Sequence, residues 1–168
     1  MSIWKTYRTL LLVGEGRTEE AFLQHVKSLC APRGCGLSVK VKNARGKGAK
    51  HVVEWTSRQL AIARYDTVAV LLDTDKDWSE AVARRAKAAR IWVLKSEPLF
   101  EAMMLRLLNQ SDAGDSKTLK NRFAPFVRND ALCAENYVDR FGKEFLEAQR
   151  DREPTIDALL KLFGEKGA

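Results

Sequence analysis

The chain opens on a short apolar run, "TLLLVGE" (9–15), that closes at a glycine. In the next stretch, "TEEAFLQHVKSLCA" (18–31), Ala21, Phe22, Val26 and Leu29 fall near helical spacing, with Glu19 and Glu20 in the first turn. This pattern predicts strand, turn and helix. "GLSVKVKNA" (36–44) alternates apolar and polar positions in the manner of an edge strand, and "KHVVEWTSRQLAIARY" (50–65) carries Val53, Leu60 and Ala61 as a second helix.

"TVAVLLDTD" (67–75) is a continuous aliphatic run ending abruptly in acids, as expected of a central parallel strand buried on both faces. A helix over 79–89 ("SEAVARRAKAA"), a fourth strand over 90–95 ("RIWVLK") and a helix over 97–109 ("EPLFEAMMLRLLN") follow, with Pro98 placed in the last helix's first turn. Strands alternating with helices imply βαβ crossovers. The predicted fold class is therefore α/β: a Rossmann-like, open, mainly parallel four-stranded sheet with helices on both faces. Beyond the polar stretch "NQSDAGDSK" (109–117) only helical patterns remain, around 117–128, 134–149 and 154–163. Residues 1–109 are read as the α/β domain and 110–168 as a helical extension packed on it, with no internal repeat.

A chain of 168 residues has the length of one ordinary domain, and 45% hydrophobic with 30% charged residues is too apolar for disorder. The net charge of +7 and pI near 9.5 attract polyanions such as nucleic acid. Cys30, Cys35 and Cys133 are odd in number and lack a paired CxxC pattern, which argues against a disulfide framework or a structural zinc. The apolar stretch near the N-terminus is too short for a signal peptide, and no segment reaches the roughly 20 apolar residues of a membrane span. The expected setting is the cytoplasm, away from membranes.

The carboxylates change the picture most. In open parallel sheets ligands gather outside the carboxyl ends of the strands. Glu15 lies at one such end, and Asp73 and Asp75 at another. If the first and third strands are neighbours, these three acids meet in one cleft, and Glu19, four residues beyond Glu15, faces the same way. Asp77 and Glu80 form an outer ring. Such a cluster would repel itself without a cation, and hard oxygen ligands select Mg²⁺ or Mn²⁺, as one ion or two. The structural alternative is that a strand-end Asp simply forms a turn or caps a helix. "GEGRTE" begins like GxGxxG, but Glu19 stands where the third glycine belongs, and no GK[ST] follows; dinucleotide and P-loop readings both fail on the acids.

With "LLVGEGRTEEAFL" and "VAVLLDTDKD", residues 8–109 resemble the Toprim domain, whose pattern is a glutamate in a glycine-flanked turn after strand one and a DxD after a later strand. The added Glu19 is similar to the nuclease branch typified by overcoming-lysogenization-defect proteins. "SEPLFEAMMLRLL" (96–108) resembles the stretch after the DxD in RloB-like proteins, although Glu97 stands where an asparagine is usual, which leaves no assigned role for Glu97 or Glu101. The resemblance implies Glu15 as general base or metal-bound acid, Asp73 and Asp75 as metal ligands, Glu19 as a ligand of a second metal, and a role in host defence.

"KVKNARGKGAKH" (40–51) places Lys40, Lys42, Arg45, Lys47 and Lys50 around two glycines on the same carboxyl edge. Lys42, Arg45, Lys47 and Lys50 are therefore expected to contact nucleic acid, the alternative being a solvated loop. Lys95, ending the fourth strand, is a candidate to stabilise charge on a phosphoryl group, or else an exposed strand-end lysine. His25 is expected to be packed or on the surface rather than catalytic, His51 could touch phosphate but nothing in the sequence places it, and Trp4, Trp55, Trp78 and Trp92 are read mostly as core. The expected function is an Mg²⁺- or Mn²⁺-dependent nuclease hydrolysing DNA or RNA, alone, as a homo-oligomer or with a protein partner. A non-catalytic nucleic-acid or partner-binding module is the alternative.

Overall fold

The computed structural model describes residues 5–164. Four parallel strands, β1 (Arg8–Gly14), β2 (Leu37–Asn43), β3 (Thr67–Asp73) and β4 (Trp92–Ser96), form one sheet in the order β2-β1-β3-β4. β1 and β3 are the central pair, as their unbroken aliphatic runs require: Leu10 to Val13 and Val68 to Leu72 are all buried. β2 is an edge, and its alternation leaves Ser38 and Lys40 in solvent while Val39 and Val41 are buried.

Helices α1 (Arg17–Cys30), α2 (Gly48–Ile62), α3 (Glu80–Ala88) and α4 (Phe100–Leu107) cover the two faces. α1 carries the chain from β1 outward to β2, whereas α2 and α3 carry it the other way, to β3 and β4. Crossovers of one hand that travel in opposite directions must lie on opposite faces. The core divides accordingly. Leu10, Leu12, Ala69 and Leu71 pack with α1 and α4; Leu11, Val13, Val70 and Leu72 pack with α2 and α3. Reversal of direction between β1 and β3 creates a switch point, where the carboxyl ends of two adjacent strands open into a crevice.

Helices α5 (Ser116–Phe123), α6 (Lys143–Ala148) and α7 (Pro154–Gly164) follow. Their inward residues Leu119, Phe123, Leu146, Ile156 and Leu159 join the core beneath α1 and α4. Phe22, Phe100, Phe123, Tyr137 and Phe141 interlock there, with ring centroids 5.6–6.4 Å apart. Among the described residues, no helix is long and apolar enough to cross a membrane.

Three expectations need correction. The helix expected over 134–149 is a 3₁₀ turn (Ala134–Tyr137), an irregular corner through Gly142, and the short α6. Tyr137 and Phe141 are buried at that corner, where the Tyr137 hydroxyl donates to Ala131 O at 2.8 Å and fixes a bend that the apolar spacing does not reveal. Pro98 lies ahead of α4 rather than in its first turn, and Leu99 is the N-cap. Trp92 is 65% exposed rather than core; Trp55 and Trp78 are partly buried, and Trp4 lies outside the described residues.

Candidate active site

The GEG turn continues the sheet before it becomes a helix. Glu15 N–H donates to Leu71 O at 3.0 Å, extending the β1–β3 ladder one residue past Gly14. α1 then packs so closely over this end that a Cβ on Gly14 would sit 2.7 Å from the Glu20 backbone nitrogen. Gly14 is thus required by the helix overhead. Gly16 has an extended backbone (φ −139) and room for a side chain, so the two glycines do different things.

Glu15 and Asp73 meet at the switch point. Asp73 N–H donates to Glu15 Oε2 at 2.9 Å, which fixes the Glu15 side chain against the end of β3. The Asp73 carboxylate accepts in turn from Phe100 N–H at 2.8 Å, serving as a tertiary cap for α4, whose own N-cap Leu99 has no side-chain acceptor. Two hydrogen bonds through Glu15 and Asp73 thus tie β1, β3 and α4 together.

Glu19 completes half of a capping box, its Oε2 accepting from Gly16 N–H at 3.0 Å, and it is buried. Glu101, on the first turn of α4, is buried as well. Burial and the neighbouring carboxylates Glu19, Glu15, Glu101 and Asp75 push Asp73 up to about 8. Burial, with repulsion from Glu101 and Glu15, pushes Glu19 up to about 7 against the hydrogen bonds that favour its charge. Glu101 is raised by burial, and Lys120 partly opposes the shift. These groups form one electrostatically coupled pocket in which full ionisation is unfavourable. Glu101 is the member that sequence reasoning left without a role; its signal was an acid in the first turn of the helix that follows β4.

Asp75 and Asp77 are exposed in the loop beyond Asp73. Asp77 leans away from the pocket toward α2, its Oδ2 2.7 Å from where a Cβ on Gly48 would stand. Glu80 is exposed in the first turn of α3. Among the described residues, no three His, Cys, Asp or Glu side chains are grouped closely enough to hold one ion as they stand. Their chemistry nevertheless fits a hard divalent cation. All are carboxylates, several are buried, and their mutual repulsion is the deficit that such an ion would relieve.

The basic loop lies beside Glu15. Ala44 N–H donates to Gly14 O at 2.9 Å and Gly46 N–H to Glu15 O at 2.7 Å, so the loop after β2 is bound to the GEG turn. Arg45, Gly46, Lys47 and Gly48 all have left-handed φ, between +64° and +85°. For Arg45 and Lys47 that conformation costs about 1–3 kcal/mol each and persists only where the surroundings impose it. The Asn43 side chain accepting from Arg45 N–H at 3.0 Å and His51 donating to Ala44 O at 2.9 Å supply that constraint. His51 therefore supports the loop.

Arg45, Lys47 and Lys50 are exposed around this turn. Lys42 is not with them: its Nζ donates to Gln59 on α2 at 3.0 Å. Lys95 also stands apart from the acids. It pairs with Glu97 at 3.4 Å and lies over the Trp78 ring at 5.7 Å, on the α3 side of β4, whereas Asp73, Glu19 and Glu101 gather on the α1 and α4 side. His25 is buried and donates to Phe141 O at 2.6 Å.

Comparison of the chain with protein-family models, with curated proteins and with solved structures finds no match.

Proposed function

We propose that the chain is a divalent-metal-dependent phosphodiesterase acting on nucleic acid, with its site at the β1–β3 switch point. The observation that carries this reading is the hydrogen bond from Asp73 N–H to Glu15 Oε2, joining two acids 58 positions apart at the one crevice the topology provides. The Toprim-like pattern of GEG and DTD, with its nuclease-type Glu19, supports the same reading, as does a basic loop bound to the Glu15 carbonyl.

Asp73, Asp75 and Glu19 would hold Mg²⁺ or Mn²⁺. When bound, such an ion supplies Lewis acidity at the phosphoryl group and neutralises charge that develops there. Glu15 is the general base. Its Oε2 is engaged by Asp73 N–H, which holds the carboxylate at the end of β3, where it would take a proton as a water oxygen bonds to phosphorus and the bond to the leaving oxygen breaks. Arg45, Lys47 and Lys50 bind phosphates on one side of the scissile position.

A second reading is favoured by one observation: Glu15 and Asp73 each use an oxygen to hold the fold together. A binding module would need the acids for that alone. Incubating the protein with plasmid, single-stranded DNA and RNA, with Mn²⁺, Mg²⁺ or EDTA, separates the two. Cleavage abolished by EDTA supports the phosphodiesterase; binding without cleavage in any metal supports the module.

A further inference from the structure

The basic loop is only one border of the acidic pocket. Along the carboxyl edge of the sheet the order is the 44–48 loop after β2, Glu15 after β1, Asp73 after β3, and the start of α4 after β4. The last of these leads into the C-terminal helices. Asp73 caps Phe100, the Phe100 ring meets Phe123 edge-on at 6.1 Å, and Leu119 and Phe123 bury the inner side of α5 in the same core. α5 is thereby fixed against the helix that carries Glu101.

Its outer side presents Lys117 and Lys120, both exposed, and the Lys120 charge partly opposes the upward push that burial gives the Glu101 carboxyl. Nearby Arg122 is engaged otherwise, donating to Ser111 O at 2.7 Å and Ala113 O at 2.8 Å. Among the described residues, neither Lys117 nor Lys120 makes a salt bridge. Two cationic borders thus flank one acidic pocket. They are formed by residues some 70 positions apart: one is bonded to the GEG turn, and the other packs on α4, whose first turn carries Glu101.

Resting on the phosphodiesterase reading, we propose that α5 is the second phosphate-binding wall of the site, with Lys117 and Lys120 contacting the backbone of a nucleic-acid strand that crosses the sheet edge from the 45–50 loop to α5. A strand running between the two walls passes the switch point, which places a phosphate over Glu15 and Asp73 with neighbours held on both sides. The C-terminal helices then serve substrate binding as well as core burial.

The test is fluorescence anisotropy of a labelled 12-nucleotide single strand, as DNA and as RNA, titrated with full-length protein in EDTA over a series of NaCl concentrations. Lys117→Ala/Lys120→Ala is compared with wild type, with Lys47→Ala/Lys50→Ala, and with Arg140→Ala/Lys143→Ala, which removes equal charge from exposed positions elsewhere. Each phosphate of the single strand that no longer meets a lysine should lower the log–log salt slope by about 0.7. With two such phosphates freed, the slope of the α5 variant is expected to fall by about 1.4 and that of the control pair not at all, with thermal melts of all variants alike. A wild-type slope in the α5 variant, beside a reduced slope in the loop variant, overturns the second wall and leaves the phosphodiesterase reading standing. Equal reductions in the α5 and control variants reduce the effect to general charge and overturn it too. Failure of the wild type to bind either single strand overturns the wall, while metal-dependent cleavage of plasmid, single-stranded DNA or RNA decides the phosphodiesterase reading separately.

Discussion

Two aspartates bracket β3, Asp66 just before its first residue and Asp73 as its last, and their surroundings drive them in opposite directions. Asp66 is solvated and accepts from Thr9 N–H at 2.7 Å and from the Thr9 hydroxyl at 3.0 Å, which hold its carboxyl below the usual range. Asp73 also accepts a backbone N–H, yet burial and four nearby carboxylates raise it to about 8. The amino end of the sheet satisfies its acid; the carboxyl end crowds acids together without enough cations. A fold with no use for that crowding could relieve it with one lysine, and clusters held in such conditions are characteristic of functional sites.

The largest effect should come from the residue that the crowding leaves poised for chemistry. Glu15→Gln keeps an oxygen to accept from Asp73 N–H, so the fold should be unchanged. Cleavage by this variant, measured at the Mn²⁺ concentration that saturates the wild type, is expected to fall by about 10²–10⁴-fold, the range for losing a general base. Recovery of the rate on adding more Mn²⁺ would make Glu15 a metal ligand instead.

The contrast also has a thermodynamic form. An acid whose folded value is raised binds protons more tightly in the folded chain, so its contribution to stability is complete below about pH 4 and is lost as the pH rises to about 8. In EDTA the wild type should therefore melt at lower temperature at pH 8 than at pH 6. Asp73→Asn retains the acceptor for Phe100 N–H and removes the repulsion. It should raise the pH 8 melting temperature by several degrees, since relief of about 1 kcal/mol is worth roughly 2–4 °C at this size. A lower melting temperature in calorimetry would mean that the charge itself stabilises α4.

Asp66 should behave in the opposite sense and more weakly. Its lowered value contributes stability above the ordinary carboxylate range that disappears in acid as the pH falls through the depressed value. Asp66→Ala should lower the melting temperature slightly at neutral pH and not at all in strong acid. An equal drop at both would assign the effect to packing.

Much of this was legible in the sequence because strand periodicity and terminal acids are local signals. The aliphatic run of β3 fixed its central place, and the alternation in β2 fixed it as an edge. Glu15 and Asp73 could be named as neighbours once β1 and β3 were paired. The place of Glu101 beside the other acids was hidden because α4 is tied to Asp73 by a contact across 27 positions. Lys95 and Lys42 stand apart from the acids for a related reason: both occupy the carboxyl edge in sequence, but strand alternation turns them toward Trp78 and Gln59, on the other face. Nor does helical spacing reveal the corner before Gly142, where buried aromatics override it.

The claim that the crowded pocket takes up a divalent cation is tested most directly by calorimetric titration of Mn²⁺ at pH 7 in buffers of different ionisation enthalpy. With Asp73 raised to about 8 and Glu19 to about 7, binding must displace protons, on the order of one per ion. The account predicts Mn²⁺ binding with that release in the wild type, and both weaker binding and less release in Asp73→Asn. No binding, or binding whose heat is independent of buffer and unchanged in Asp73→Asn, would contradict it.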